Sequence, residues 1–189
     1  MVDGIFVPCP RLGPVQVDSA GHTFADCPET DGDTSGVVWA GGAPMSPLFI
    51  PPTKLGAVDY GTGKHGFLFL HANKGITFDL DAIRRCVPDC RLTRFRSEAG
   101  NTETASNEGT SVFADFHVLV DGEARFKRRQ FSSFNEGATV AVAIADSDRF
   151  LTLVATGSND GIQYDWIVFG DPRLELEAKP VSKSTLEQK

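Results

Sequence analysis

The stretch ADFHVLVDGEARFKRRQF, residues 114–131, is the clearest structural element in the sequence. Phe116, Val118 and Val120 occupy alternate positions, and alternate side chains of a β-strand point to the same face. Asp121 and Gly122 follow, and both residue types tolerate the positive φ angles that tight hairpin turns require. The stretch therefore predicts two antiparallel strands joined by a short turn.

The same alternation of apolar and polar residues recurs on both sides of this hairpin. Strands are predicted at GFLFLHA (66–72), GITFDL (75–80), LTRFRSEA (92–99), ATVAVAIA (138–145) and RFLTLVAT (149–156), and shorter ones at DGIFVP (3–8), GPVQVD (13–18) and GVVWAGG (36–42). Turn signals recur about every ten residues, which is typical of an all-β sandwich. Helical periodicity over ten or more residues is absent, and only DAIRR (81–85) suggests a helical turn.

These segments predict an all-β protein, an antiparallel β-sandwich. We expect residues 1–176 to form a single domain and residues 177–189, EAKPVSKSTLEQK, to be a polar tail or linker. The polar stretch NTETASNEGTS (101–111) lies between two predicted strands, so we expect a surface loop there.

Charge and hydropathy exclude several classes of partner. The net charge is −7 and the pI is near 5.0, so the surface repels the phosphate backbone of a nucleic acid. No apolar stretch approaches the roughly 20 residues that a membrane-spanning helix needs. The sequence begins without a signal-peptide pattern, which leaves either a cytosolic protein or a piece of a longer secreted chain.

The four cysteines bear on the same question. Cys9, Cys27, Cys86 and Cys90 lie beside Pro and Asp in segments that resemble exposed loops. An even number of cysteines permits two disulfides in any of three pairings. We expect bridges, as in proteins of oxidising compartments, and the alternative is four free thiols in a reducing one.

Motifs of enzymes are absent from the sequence. YGTGKHG (60–66) departs from the phosphate-binding loop, which requires Ser or Thr where His65 stands. There is no Gly-x-Ser-x-Gly elbow and no His-Glu-x-x-His zinc motif. His117 alternates with apolar neighbours, so we interpret it as an exposed or half-buried strand residue.

The closing stretch SNDGIQYDWIVFGDPRLEL (158–176) leaves two alternatives open. Asp160 and Asp165 flank a glycine turn, and calcium takes carboxylates together with carbonyl oxygens from such loops; an ordinary hairpin with solvated acids gives the same spacing. The aromatic residues Trp166 and, near the N-terminus, Trp39 either pack in the core or stack on a sugar.

Several motifs taken in order resemble the NPCBM family of carbohydrate-binding modules. HANKGITFDL (71–80) is similar to the His-Ala-x-x-x-Ile-x-Tyr-x-Leu strand of that family, and FHVLVDGEARF (116–126) to its Phe-x-Val-x-x-Asp-Gly hairpin. TRFRSEAG (93–100) and the stretch from Thr139 to Asp165 follow the same order. DWIVFGDPRL (165–174) is similar to its Asp-His-Ala-Asp-Trp-Gly-Asp-Pro-Arg-Leu ending. The resemblance covers residues 61–176.

The resemblance implies a galactose-binding-like β-sandwich with jelly-roll topology, in which a structural calcium is common. Asp165 occupies the first Asp of the terminal motif, and His71 and Asn73 keep the polar end of their strand motif, which makes them candidate ligand contacts. Trp166 and Val168 replace a His and an Asp of the ending, so the sugar specificity is expected to differ or sugar binding to be lost.

From these observations we expect a non-catalytic carbohydrate-binding module of a larger secreted protein. Loops at one end of the sandwich would bind a glycan or polysaccharide, with calcium as a structural ion and other domains of the longer chain as partners. The alternative is a structural or protein-interaction β-sandwich that binds no sugar. A small polysaccharide hydrolase is a third class, which would require two convergent carboxylates in a cleft.

Overall fold

The computed structural model describes residues 1–35, 38–40, 52–102, 112–132, 137–158 and 160–180. Within these residues the chain forms β-strands, one 3-10 turn at Pro10–Leu12 and one α-helix, α1, at Leu80–Cys86. The strands are β1 (Val2–Phe6), β2 (Trp39–Ala40), β3 (Lys54–Leu55), β4 (Val58–Asp59), β5 (Phe67–His71), β6 (Lys74–Asp79), β7 (Cys90–Asn101), β8 (Phe113–Val120), β9 (Glu123–Ser132), β10 (Ala138–Ala143), β11 (Phe150–Gly157) and β12 (Trp166–Ala178).

Most strands belong to two five-stranded sheets. The first sheet has the order β1-β6-β11-β8-β9 and the second has the order β10-β7-β12-β5-β2. All of their strand pairs are antiparallel. The predicted antiparallel β-sandwich is therefore confirmed.

The hairpin at residues 114–131 forms as predicted. β8 and β9 pair directly, and Asp121 and Gly122 adopt positive φ angles of 49° and 81° at the turn. The Asp121 carboxylate accepts hydrogen bonds from the backbone N–H groups of Arg149 and Phe150. The turn is thus attached to the start of β11 as well as to its own strands.

The main core lies between the two sheets. Phe116 of β8 and Phe169 of β12 are fully buried and meet edge-to-face, with 6.1 Å between ring centroids. Their strand neighbours alternate as expected, since Val118 and Val120 join the same core. Phe169 thus packs in the core at the position where the related motif has Trp.

The N-terminal segment that follows β1, residues 7–35, packs on the outer face of the first sheet. Val15, Val17 and Phe24 form a second apolar cluster with Leu119 and Val154. This segment was predicted to contain a strand at GPVQVD, but it makes only an isolated bridge between Gln16 and Thr23. Side-chain packing against the sheet holds this segment in place of a strand ladder.

Helix α1 is slightly longer than the predicted helical turn. It begins after Asp79, whose carboxylate accepts a hydrogen bond from the Ala82 N–H at 2.9 Å, so Asp79 is the N-cap. In the described part of the chain, no helix is long and apolar enough to cross a membrane.

The prediction of disulfides is wrong for this structure, in which Cys9, Cys27, Cys86 and Cys90 are all free thiols. The Cys9 thiol donates to the Thr30 carbonyl oxygen at 3.7 Å. The Cys86 thiol donates within its own helix to the Ala82 carbonyl oxygen at 3.4 Å, while Cys90 begins β7.

Three expectations concern residues that the structure describes only in part. β12 runs to Ala178, two residues beyond the predicted domain boundary, and residues 181–189 of the tail lie outside the described residues. So do residues 103–111 of the expected surface loop. Of the predicted strand at 36–42, only Trp39–Ala40 is described as a strand.

Candidate functional site

Several strand ends and connections meet at one end of the sandwich, which we call the loop end and define by residues 71–74, 101–102, 112–115, 156–158 and 160–166. Backbone and side-chain hydrogen bonds join them: the Ala72 N–H donates to the Asp165 carbonyl oxygen at 3.0 Å, and the Trp166 N–H donates to Asn101 Oδ1 at 2.8 Å. The loop end is therefore a bonded unit, to which the predicted site residues His71, Asn73, Asp160, Asp165 and Trp166 all belong.

Asn73 connects the loop end to the N-terminal segment. Its Nδ2 donates to the Asp33 carbonyl oxygen at 2.7 Å, and its Oδ1 accepts from the Gly157 N–H at 3.2 Å. The residue has a positive φ of 57° and is 1 % exposed. Its amide thus holds two loops together, so Asn73 fixes the shape of the site.

Asp165 is a buried carboxylate at the start of β12. It is 1 % exposed, and both carboxylate oxygens lack a hydrogen-bond partner among the described residues. Burial, together with the nearby carboxylates of Asp160 and Asp115, raises the pKa of Asp165 to about 8. A carboxylate in such a position is stabilised either by a proton or by a cation.

The surroundings of Asp165 provide further oxygen atoms. A Cβ atom built on Gly157 would lie 2.8 Å from the Gly161 carbonyl oxygen and 3.4 Å from Asp165 Oδ2, so both oxygens approach this glycine. Asp160 is exposed, and its Oδ2 accepts a hydrogen bond from the Phe113 N–H at 3.1 Å. Over the residues the structure describes, no group of three or more His, Cys, Asp or Glu side chains is placed to hold a metal ion.

A cleft of about 260 Å³ opens beside the Gly157–Gly161 turn. Asn73, Gly157 and Gly161 line one side, and Arg11, Glu29, Thr30 and Asp31 of the N-terminal segment line the other. Arg11 and Glu29 form an ion pair across 3.2 Å, with side chains 60 % and 75 % exposed. Its described lining residues include no aromatic side chain, and apart from Ile162 they present polar side chains and backbone groups.

His71 and Trp166 lie outside this cleft, on the outer face of the second sheet. They are directly paired across β5 and β12. Trp166 is half-buried and contacts Phe69 and Tyr164, with ring centroids 6.4 and 5.7 Å apart. Burial lowers the pKa of His71, whose Nδ1 has no hydrogen-bond partner among the described residues.

Trp39, the other predicted stacking residue, is paired through its backbone with Phe69 in β5. Its side chain lies outside the part of the chain that the structure describes. The structure therefore brings Trp166 to the loop end and places the β2 backbone at the edge of the same sheet.

The sequence matches the model of the NPCBM/NEW2 domain over residues 52–175. This chain belongs to the NPCBM/NEW2 domain family. The match includes the whole loop end together with both sheets, apart from β1, β2 and the last residues of β12. No curated protein matches the sequence.

Solved structures share the fold of this NPCBM domain. One is the CBM51 of a Clostridium perfringens GH95 protein in complex with methyl-galactose, with 23 % identity, a TM-score of 0.56, and coverage of 75 % of this chain and 91 % of that chain. Another contains the M60 catalytic domain with CBM51-1 and CBM51-2 of ZmpB from the same organism. Its identity is 25 % and its TM-score 0.57, with coverage of 75 % of this chain and 14 % of that chain.

A third holds the tandem CBM51 modules of a family 98 glycoside hydrolase from Streptococcus pneumoniae. Its identity is 14 % and its TM-score 0.56, with coverage of 77 % of this chain and 42 % of that chain. The NPCBM domain thus spans most of the first of these structures and less than half of the other two.

The sequence alone did not indicate the N-terminal wall of the cleft. Arg11, Glu29 and Asp31 precede the region that matches the NPCBM/NEW2 model, and they follow no motif or periodicity. Lys74 was also missed: it is buried, its Nζ donates to Thr34 Oγ1 and the Ser35 carbonyl oxygen, and burial lowers its pKa. The only available signal was a lysine directly before the predicted strand at 75–80.

Proposed function

We propose that this NPCBM domain is a non-catalytic carbohydrate-binding module that binds a glycan at the loop end. The observation that carries the proposal is the polar cleft beside the Gly157–Gly161 turn, in a domain whose family and fold are those of carbohydrate-binding modules. Solved structures with this fold include complexes with methyl-galactose and with GlcNAc.

The geometry suits a small, hydroxyl-rich ligand. The cleft volume of about 260 Å³ lies below the roughly 300–1,000 Å³ of pockets that enclose drug-sized ligands. A cleft of this size accommodates about one sugar ring and leaves the rest of a glycan in solvent. Binding is therefore expected to be weak for an isolated module, because few contacts are buried to offset the cost of association.

Two groups of side chains are available to the glycan. The cleft offers charged and amide groups for hydrogen bonds to hydroxyls, and Tyr164 and Trp166 offer aromatic rings a few residues further along the chain. Aromatic rings beside polar groups are typical of surfaces that bind the apolar face of a sugar. The cleft is the better candidate because its groups converge on one volume.

The proposal is tested by retention of the folded domain on an array of glycans and insoluble polysaccharides, in calcium and then in chelator. Binding to a defined glycan that leaves the glycan chemically intact after prolonged incubation would support a non-catalytic module. Release of sugar products would instead indicate an enzyme. Absence of binding across the array would favour the alternative, a structural or protein-interaction β-sandwich.

We also propose that a calcium ion binds at Asp165 and stabilises the loop end. The buried carboxylate without a partner fits a cation, and the Gly161 carbonyl oxygen lies on the same side of Gly157. Calcium accepts carbonyl oxygens and waters as ligands, so it does not need three acidic side chains. Its role would be structural, since it neutralises a charge that is costly to bury.

We further propose that the domain acts outside the cytoplasm as one part of a longer chain. Two of the solved structures described above contain further modules or a catalytic domain beside CBM51. Immunoblots of culture medium and cell fractions from the source would test the location, and the apparent mass of the reactive band would test the longer chain. A band of about 20 kDa confined to the cytoplasm would refute both.

A further inference from the structure

All the described charged side chains that line the cleft belong to its N-terminal wall, which precedes the NPCBM-matched region. Arg11, Glu29 and Asp31 come from the N-terminal segment, whereas Asn73, Gly157 and Gly161 on the opposite side present amide and backbone groups. Turns and strand ends of the sandwich therefore form one wall, and a segment outside the matched region supplies the charged side chains of the other.

The N-terminal wall is held in a fixed position. Thr30 is buried, its Oγ1 donates to the Pro8 carbonyl oxygen at 2.5 Å, and its own carbonyl oxygen accepts from the Cys9 thiol. Asp33, two residues beyond the wall, accepts through its carbonyl oxygen from the Asn73 amide. The Thr30 contacts hold the wall against residues 8 and 9 of the same segment, and the Asp33–Asn73 contact connects it to the sandwich. The backbone that carries Glu29 and Asp31 therefore lies in a defined place before any ligand binds.

Each charged side chain of this wall retains hydrogen-bonding capacity. Among the described residues, Arg11 engages Glu29 only through Nε, and Glu29 engages Arg11 only through Oε1. Asp31 accepts only through Oδ1, from the Asp33 N–H. The guanidinium Nη atoms therefore remain as donors, and one oxygen of each carboxylate remains as an acceptor, which is the combination that adjacent sugar hydroxyls satisfy.

The balance of charge restricts the class of sugar. One guanidinium and two carboxylates give this wall a net negative charge, and the whole chain carries −7. An acidic sugar would place its carboxylate or sulfate near Glu29 and Asp31, which is unfavourable because like charges repel. A neutral sugar meets no such penalty.

We propose that Arg11, Glu29 and Asp31 determine the sugar specificity of this domain and select an uncharged, hydroxyl-rich sugar over acidic ones. The inference rests on the proposed glycan-binding function and adds the residues and the ligand class. It assigns recognition to the N-terminal segment rather than to Trp166 and its aromatic neighbours.

The experiment uses the whole chain on an array of neutral sugars, including methyl-galactose and N-acetylglucosamine, together with their uronic-acid and sulfated counterparts. Variants Arg11→Ala, Glu29→Gln and Asp31→Asn are compared with Arg91→Ala and Trp166→Ala. Arg91 is a matched control because it forms an exposed ion pair with Glu177 at 2.9 Å, away from the loop end. Circular dichroism confirms that each variant is folded.

We expect the unmodified domain to bind a neutral sugar and to reject its acidic counterpart. Arg11→Ala and Glu29→Gln should each weaken that binding roughly tenfold or more, which is typical of lost hydrogen bonds to charged groups. Glu29→Gln and Asp31→Asn should in addition improve binding of the acidic counterpart. Arg91→Ala should bind as the unmodified domain does.

Three results would overturn the inference. Retention of acidic sugars in preference to neutral ones would contradict the charge argument. Unchanged binding by the three cleft variants, with loss in Trp166→Ala, would move recognition to the aromatic surface while the proposed function stands. Absence of any binding by the folded, unmodified domain would overturn the proposed function as well.

Discussion

Replacing His117 is expected to remove an acid sensitivity that is built into the first sheet. His117 is 1 % exposed, its ring meets Phe24 of the N-terminal segment with 5.1 Å between centroids, and neither ring nitrogen has a partner among the described residues. Burial, together with the nearby cations Arg129 and Lys127, lowers its pKa from 6.5 to about 4.

The sign and size of the effect follow from this difference in pKa. Between about pH 4 and 6.5 the unfolded chain binds a proton at this histidine and the folded chain does not, so the free energy of unfolding falls as the pH decreases through that range. The full loss is about 3 kcal/mol, at about 1.4 kcal/mol for each pH unit. At pH 5 about 2 kcal/mol of it should be lost.

The assay is urea unfolding followed by tryptophan fluorescence at pH 7.0 and pH 5.0, on the unmodified domain and on His117→Leu. The variant should be within about 1 kcal/mol of the unmodified domain at pH 7, because leucine leaves no polar atom unpaired. From pH 7 to pH 5, the difference in free energy of unfolding between the variant and the unmodified domain should shift by about 2 kcal/mol in favour of the variant.

A control variant, and the cancellation of the opposite pH dependence of Asp165, make the comparison specific to His117. Val154→Ala alters the residue paired with His117 without changing a titratable group, so it should lower stability equally at both pH values. Asp165, whose pKa is raised to about 8, makes stability fall as the pH rises, but that contribution is present in both proteins and cancels in the difference. An identical difference at pH 7 and pH 5 would refute the reasoning about His117.

Three further predictions concern the loop end. Asp165→Asn should abolish the rise in melting temperature that calcium gives the unmodified domain. In chelator at pH 9 the same variant should be more stable than the unmodified domain, since a buried charge is removed. Equal melting temperatures of the unmodified domain in calcium and in chelator would contradict the ion site. Asn73→Gly keeps the positive φ but removes the amide, so urea unfolding should show a loss of about 1–3 kcal/mol, and an unchanged midpoint would mean that the two loops do not depend on it. Gly157→Ala should cost about 1–3 kcal/mol by the same assay, because its Cβ would meet the Gly161 carbonyl oxygen at 2.8 Å; a neutral effect would show that the turn yields easily.

Strands with a regular pattern and tight turns could be predicted from the sequence. The β8–β9 hairpin forms where residues 114–131 indicate it, with both turn residues at positive φ. The motif order resembling the NPCBM family was confirmed by the family match. The irregular N-terminal segment was harder to predict from the sequence. GPVQVD alternates like a strand, yet Val15 and Val17 are buried by packing on the first sheet and form no strand ladder of their own.

The sequence predicted several residues that lie at the candidate site, but not their burial or their hydrogen-bond partners. The sequence placed Asn73 and Asp165 near strand ends, which is correct, yet it gave no reason to expect that Asn73 would bond two loops or that Asp165 would be buried without a partner. It missed Arg11 and Glu29, which lie about 60 and 45 residues before Asn73 and form the other wall of the cleft.

The sequence by itself determined the antiparallel strands, the hairpin turn and the family, because alternation and turn chemistry act between residues close together along the chain. Only the tertiary structure decided the burial of His117 and Asp165, the free state of the four cysteines and the composition of the cleft. These features depend on which distant segments pack together, and the cost of removing a charge from water arises only once that packing excludes solvent.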